Sequence, residues 1–147
     1  MRFASGKYSH TPRAFKHERR DCVVRALRVA ADLSYEEAHQ TLAACGRFDC
    51  RTTWPSVMAD AAQRHGLVRV FTHKEGTQPI GDDAARYAVD AMRPTLAHFV
   101  RTHPTGSFIV RVKKHAVAVV DGIVHDWKFR KNGGSRSRVY SAWGRAE

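Results

Sequence analysis

The sequence predicts an α+β domain, with N-terminal helices packed on a C-terminal antiparallel sheet. Three observations carry this. Helical periodicity with start and stop signals recurs between Asp21 and Gly66. From Ser107 onward the apolar period changes to two. Between the β-rich runs Ala116 to Val120 and Ile123 to Trp127 stands Asp121-Gly122, a two-residue hairpin signal. At 147 residues with 43% hydrophobic composition, the chain suits a single domain (1–147) with one core.

Taken in order, residues 1–20 read as a basic, extended lead-in. Asp21 stands where it can N-cap a helix from Cys22 to about Ala31, with Val23, Leu27 and Ala30 on an apolar face and Arg25 and Arg28 elsewhere. Ser34 and Glu37 form a capping box for a second helix that stops at Gly46. Thr53-Trp54-Pro55-Ser56 starts a third, with Pro55 at or near its first position, which ends at His65-Gly66. Leu67 to Phe71 reads as a strand, and residues 72–94 are weakly patterned. A helix from Thr95 to Thr102 precedes the break at Pro104-Thr105-Gly106. Strands then cover Phe108 to Val112, Ala116 to Val120, Ile123 to Trp127 and Arg138 to Trp143.

Charge narrows the partners. Lys and Arg number 25 against 14 Asp and Glu, a net +11, which attracts nucleic acid or an acidic protein face. Six cations in the first twenty residues face one acid, Glu18, and the segment Lys128 to Arg138 carries five cations and no acid. Arg130, Lys131, Arg136 and Arg138 are accordingly candidates for partner binding. No segment is long and apolar enough for a membrane span, and the polar start lacks a secretory pattern. Cys22, Cys45 and Cys50 build no disulfide framework, so a reducing, cytoplasmic setting is expected. The spacing of Cys45, Cys50 and His65 is too loose for zinc, so neither metal nor cofactor is expected. Trp54, Trp127 and Trp143 read as core or site-wall residues.

The chemistry concentrates in two segments. Asp21-Cys22-Val23-Val24-Arg25-Ala26-Leu27 puts a thiol at a helix start, where unsatisfied N–H groups favour a nucleophilic thiolate. His115 opens the strand that runs to Asp121-Gly122 and returns through Val124-His125-Asp126-Trp127. If Asp121 and Gly122 are the turn, Val120 opposes Ile123 and Val117 opposes Asp126. His115 and Asp126 then share a face as diagonal neighbours, roughly 7–8 Å apart at the backbone. His125 points the other way, and Asp121 lies about 20 Å along the strand from His115, beyond reach. A three-residue loop would reverse the parity and favour His125.

These segments resemble the papain-like cysteine peptidase superfamily, and look closest to small bacterial and phage proteins related to the bacteriocin-leader peptidase domains of export transporters. The resemblance implies a papain-like fold with Cys22 as nucleophile, His115 as base and Asp126 as orienting carboxylate. It further implies acyl transfer on a peptide, isopeptide or other amide, by hydrolysis or by transfer to an amine. The family places a Gln several residues before the Cys to hold the oxyanion. Phe15 to Arg20 offers none, so that task falls to the Cys22 N–H with Lys16 or His17. The rival reading is a basic phage or bacterial binding protein, catalytically weak or inactive, that grips nucleic acid or an acidic host protein.

Overall fold

A computed structural model of the chain describes residues 1–72, 93–127 and 134–145. Most of the weakly patterned stretch, and the expected partner-binding residues Arg130 and Lys131, lie outside them. Five helices and six strands are present among the described residues. In chain order they are β1 (Arg2–Ala4), α1 (Gly6–Ser9), α2 (Cys22–Ala30), α3 (Tyr35–Ala44), α4 (Pro55–Arg64) and β2 (Val68–Thr72). Then come α5 (Leu96–Thr102), β3 (Ser107–Val112), β4 (His115–Val120), β5 (Ile123–His125) and β6 (Val139–Arg145). None of the helices is long and apolar enough to cross a membrane.

The strands form one sheet in the order β1-β5-β4-β3-β6-β2. Every pairing is antiparallel except the outermost, where β1 runs parallel to β5 with Arg2 opposite Ile123 and Ala4 opposite His125. The sheet is therefore mixed, which corrects the expected antiparallel one. The sequence signal fails here because β1 is three residues long, mostly exposed, and pairs with the far end of the chain.

Helices cover both faces of the sheet, so β3 and β4 are apolar along nearly their whole length. On one face α2 packs on Ala116, Ala118 and Ile109, with α3 against α2 and α4 against α3 and β6. The two alanines of β4 let the helix approach closely. On the other face Leu96 and Phe99 of α5 cover Phe108, Val110, Val117, Val119 and Val124. At the sheet's far side Gly144 is required by space. A Cβ there would meet the Phe108 ring at 2.2 Å and the Ser107 carbonyl oxygen at 2.5 Å.

Local signals explain the boundaries. The Glu37 N–H donates to Ser34 Oγ (3.0 Å) and the Ser34 N–H to Glu37 Oε1 (3.3 Å), completing the capping box. Thr95 caps α5 by accepting the His98 N–H (3.1 Å). Asp121 and Gly122 both have positive φ, 47° and 76°, as a type I′ turn demands. Val120 therefore opposes Ile123, and Val119 opposes Val124.

Two expectations change. α2 is buried on every side rather than on one apolar face: Arg25 and Arg28 are themselves only 4% and 9% exposed. The lead-in is folded, and it is what encloses them. The Arg25 guanidinium donates to the Tyr8 carbonyl (2.9 Å) and to Thr11 Oγ1 (2.5 Å), and Arg28 donates to the His10 carbonyl (3.0 Å). Nor does the Asp21 side chain cap α2. Its Oδ2 instead accepts from Arg25 Nε (2.9 Å) and from the Tyr35 hydroxyl (2.7 Å). A buried cation needs its partner more than a helix start needs a side-chain cap.

Candidate active site

Asp126 immediately follows β5 and is buried. Its backbone N–H donates to the Ala4 carbonyl on β1 (3.1 Å), and its Oδ1 accepts the Trp127 N–H (2.7 Å). Those two bonds end the strand and fix the carboxylate. His115, on the neighbouring strand and the same face, places Nε2 2.7 Å from Asp126 Oδ1. This is the diagonal pair that the two-residue turn requires. Engagement of Nε2 by a carboxylate leaves Nδ1 as the ring nitrogen that would exchange a proton with a thiol.

His125 lies on the opposite face, at the register position of Ala118. Burial, with the Lys7 charge behind it, holds its imidazole below the ordinary 6.5. It is kept neutral and lines neither hollow described below.

Cys22 is the first residue of α2 and is half-buried. The helix ladder begins with the Arg25 N–H on the Asp21 carbonyl (3.1 Å), so the N–H groups of Cys22, Val23 and Val24 precede it. Cys22 and His115 line the same cleft of about 830 Å³, together with Arg20, Arg51, Trp54 and Lys114. A smaller hollow of about 350 Å³, walled by Trp127 and Thr52, shares both residues. The thiol and the imidazole thus stand where two hollows meet.

Tyr8 was not legible as a site residue, because nothing in the lead-in marks it, yet it underlies all three groups. It is fully buried, and its hydroxyl donates to the Ala116 carbonyl (2.7 Å), next to His115. Its ring meets His115 and Trp127 edge-on, at 6.3 and 5.6 Å between centroids. Burial first, then the neighbouring Cys22 and Asp126, raise its phenol well above the ordinary value. Tyr8 therefore stays protonated and acts as a fixed donor. Trp127 is clamped from its other side by the Arg25 guanidinium, 4.1 Å from the ring centroid.

Lys16 and His17 do not line either hollow. Lys16 is exposed beyond the 3₁₀ turn Arg13–Phe15. His17 faces Asp49 (3.8 Å), and its carbonyl accepts the Cys50 thiol (3.3 Å). The physical cause is Glu18, which turns this stretch away from Cys22. The Glu18 carboxylate takes both Arg47 nitrogens (2.9 and 3.2 Å), His39 Nε2 (2.8 Å) and the Cys50 N–H (2.5 Å). Burial raises its pKa, but these bonds outweigh it and bring Glu18 down from 4.5 to about 2. The lead-in is thereby tied to the loop that forms the cleft's far wall.

The remaining expected residues fall elsewhere. Arg136 is exposed, whereas Arg138 donates to the Arg93 carbonyl (2.8 Å) and bridges to Thr95 at the start of α5. Neither lines the cleft. Cys45 is half-buried, and burial raises its pKa despite Arg64 nearby. His65 bonds Thr41 (2.8 Å), apart from Cys50. Trp143 is in the core, while Trp54 and Trp127 are site walls. Comparison with protein-family models, curated proteins and solved structures finds no match to this chain.

Proposed function

We propose that this chain is a cysteine-nucleophile acyl-transfer enzyme of papain-like build, acting on a peptide, isopeptide or related amide. The observation that supports it best is the His115–Asp126 bond of 2.7 Å beside a cleft that both His115 and Cys22 line. In this reading His115 Nδ1 takes the Cys22 proton as the sulfur bonds the substrate carbonyl carbon. Asp126 steadies the ring and offsets its positive charge. The tetrahedral oxyanion is met by the first-turn N–H groups of α2, those of Cys22 and Val23. The imidazolium then protonates the departing amine as the C–N bond breaks, leaving a thioester on Cys22. Water or a second amine attacks that thioester, His115 receives the attacker's proton, and the thiol is restored.

Iodoacetamide labelling followed by peptide mapping tests this directly. Cys22 is expected to react fastest of the three thiols, and His115→Ala to slow that reaction at neutral pH. Faster labelling of Cys45 or Cys50, or a Cys22 rate indifferent to His115, would overturn the assignment.

A further inference from the structure

We propose, on the acyl-transfer reading above, that the cleft selects an acidic peptide segment, with a carboxylate-bearing residue beside the scissile carbonyl and a bulky apolar residue farther along. Three observations carry this. Arg20, Arg47, Arg51, Arg111 and Lys114 all line the larger hollow, and among the described residues no Asp or Glu does; Asp21 borders the smaller one, its carboxylate engaged by Arg25 and Tyr35. Two of these cations are occupied: Arg47 holds Glu18, and Arg111 lies over the Tyr140 ring at 5.1 Å. The other three, Arg20, Arg51 and Lys114, are exposed, and no described carboxylate lies within ion-pair distance of them. An incoming anion would supply the missing partner.

The second observation is backbone geometry. Arg20 adopts a left-handed φ of 52°, unusual for residues other than Gly, Asn or Asp, and Lys114 (55°) adopts one in the two-residue turn that joins β3 to β4. Such conformations persist where surrounding structure imposes them, and they gather at ligand sites. Arg20 stands two residues before Cys22, Lys114 stands one before His115, and both border each hollow. The two cations closest in sequence to the thiol and the imidazole are thus held at the point where the hollows meet.

The third is apolar surface. Phe48 and Trp54 line the same cleft at 77% and 74% exposure, unusual for rings this large. They flank Arg51 in the chain and line the same cleft, which suits an apolar side chain of an extended ligand. A concave pocket lined by a thiol-bearing residue fits a peptide carbonyl better than a duplex, which needs a long cationic track.

The test uses the whole protein and matched peptidyl vinyl sulfones carrying Glu, Gln or Lys next to the electrophile. The readout is the rate of adduct formation at Cys22, divided by the iodoacetamide rate for each protein. The Glu probe is expected to react about tenfold faster than the Gln probe, with the Lys probe slowest and the advantage shrinking as salt rises. Arg51→Glu should invert the Glu-to-Lys preference. Lys114→Asn removes a charge at a position where Asn tolerates the left-handed backbone, and should reduce that preference by itself. Equal rates for all three probes at Cys22 would overturn the charge selection and leave the acyl-transfer reading intact. Adducts forming no faster at Cys22 than at Cys45 and Cys50 would overturn both. Protection of Cys22 by an oligonucleotide, with no preference among the peptides, would assign the cleft to nucleic acid and overturn the peptide proposal.

Discussion

His115 meets one Asp126 oxygen, and that same oxygen also accepts the Trp127 N–H. Asp126→Asn can keep the backbone bond while removing the charge behind the imidazole. The expected result is a loss of Cys22 reactivity toward peptide electrophiles of about a hundred- to ten-thousandfold, measured by adduct mass, with the fold retained by circular dichroism. An unchanged rate would show that the carboxylate is only a strand terminator. Glu18 makes a separate prediction about pH. Its pKa lies near 2 in the folded chain against an ordinary 4.5. A depressed carboxylate stabilises above its unfolded pKa, so the contribution is complete above about 4.5 and fades as pH falls toward 2. Its size is on the order of 3 kcal/mol. Urea unfolding of Glu18→Gln should therefore show lower stability at neutral pH and a flatter acid limb. A variant whose acid limb matches the parent would show that Glu18 does not carry this dependence.

Among the elements, those with local signals were legible almost to the residue. α3, α4 and α5 begin where Ser34, Pro55 and Thr95 say they should, because a cap or a proline at the first turn acts within a few residues, while α2 begins after Asp21 with no cap from its side chain. The turn Asp121-Gly122 also sufficed to choose Asp126 over His125, since strand parity follows from turn length alone. β1 and the four-residue α1 carry no such signal, because their partners are distant in sequence. Glycine gives a paired prediction at this scale. Gly144→Ala places a Cβ into the Phe108 ring and the Ser107 carbonyl, and the carbonyl cannot yield without disturbing β3. A loss of about 3 kcal/mol is expected in denaturant titration. Gly6 has nothing within 4 Å of such a Cβ and lies in α1, so Gly6→Ala should be neutral or slightly stabilising. Equal effects at both sites would mean that the space around Gly144 relaxes.

For the molecule as a whole, charge read from sequence was a poor guide to which ions face solvent. Arg25, Arg28, Arg47 and Glu18 look like surface residues by type, yet all are buried and most are mutually satisfied. Their partners lie up to 32 residues away in the pairing of Glu18 with Cys50, a distance no local pattern reports. Excess charge was legible, but its gathering in the cleft was not: Arg20, Arg51 and Lys114 come from three separate segments that no local pattern joins. Asp21 joins α2, α3 and the lead-in through Arg25 and Tyr35. Asp21→Ala would strand Arg25 without its carboxylate, and a cost of about 3–5 kcal/mol is expected in thermal or urea unfolding. A cost below about 1 kcal/mol would show that Arg25 finds solvent or another partner instead.

The parallel pairing of β1 with β5 also sets an order of events. Arg2 to Ala4 are made long before the strand they join, Ile123 to His125. The Asp126 N–H donates to the Ala4 carbonyl, so the carboxylate behind His115 is locked only when β1 and β5 meet. Contacts of such long sequence separation form late and slowly. A nascent chain would thus carry Cys22 well before His115 and Asp126 are brought together. Built this way, the thiol at the head of α2 stands without that pair until β5 has been made.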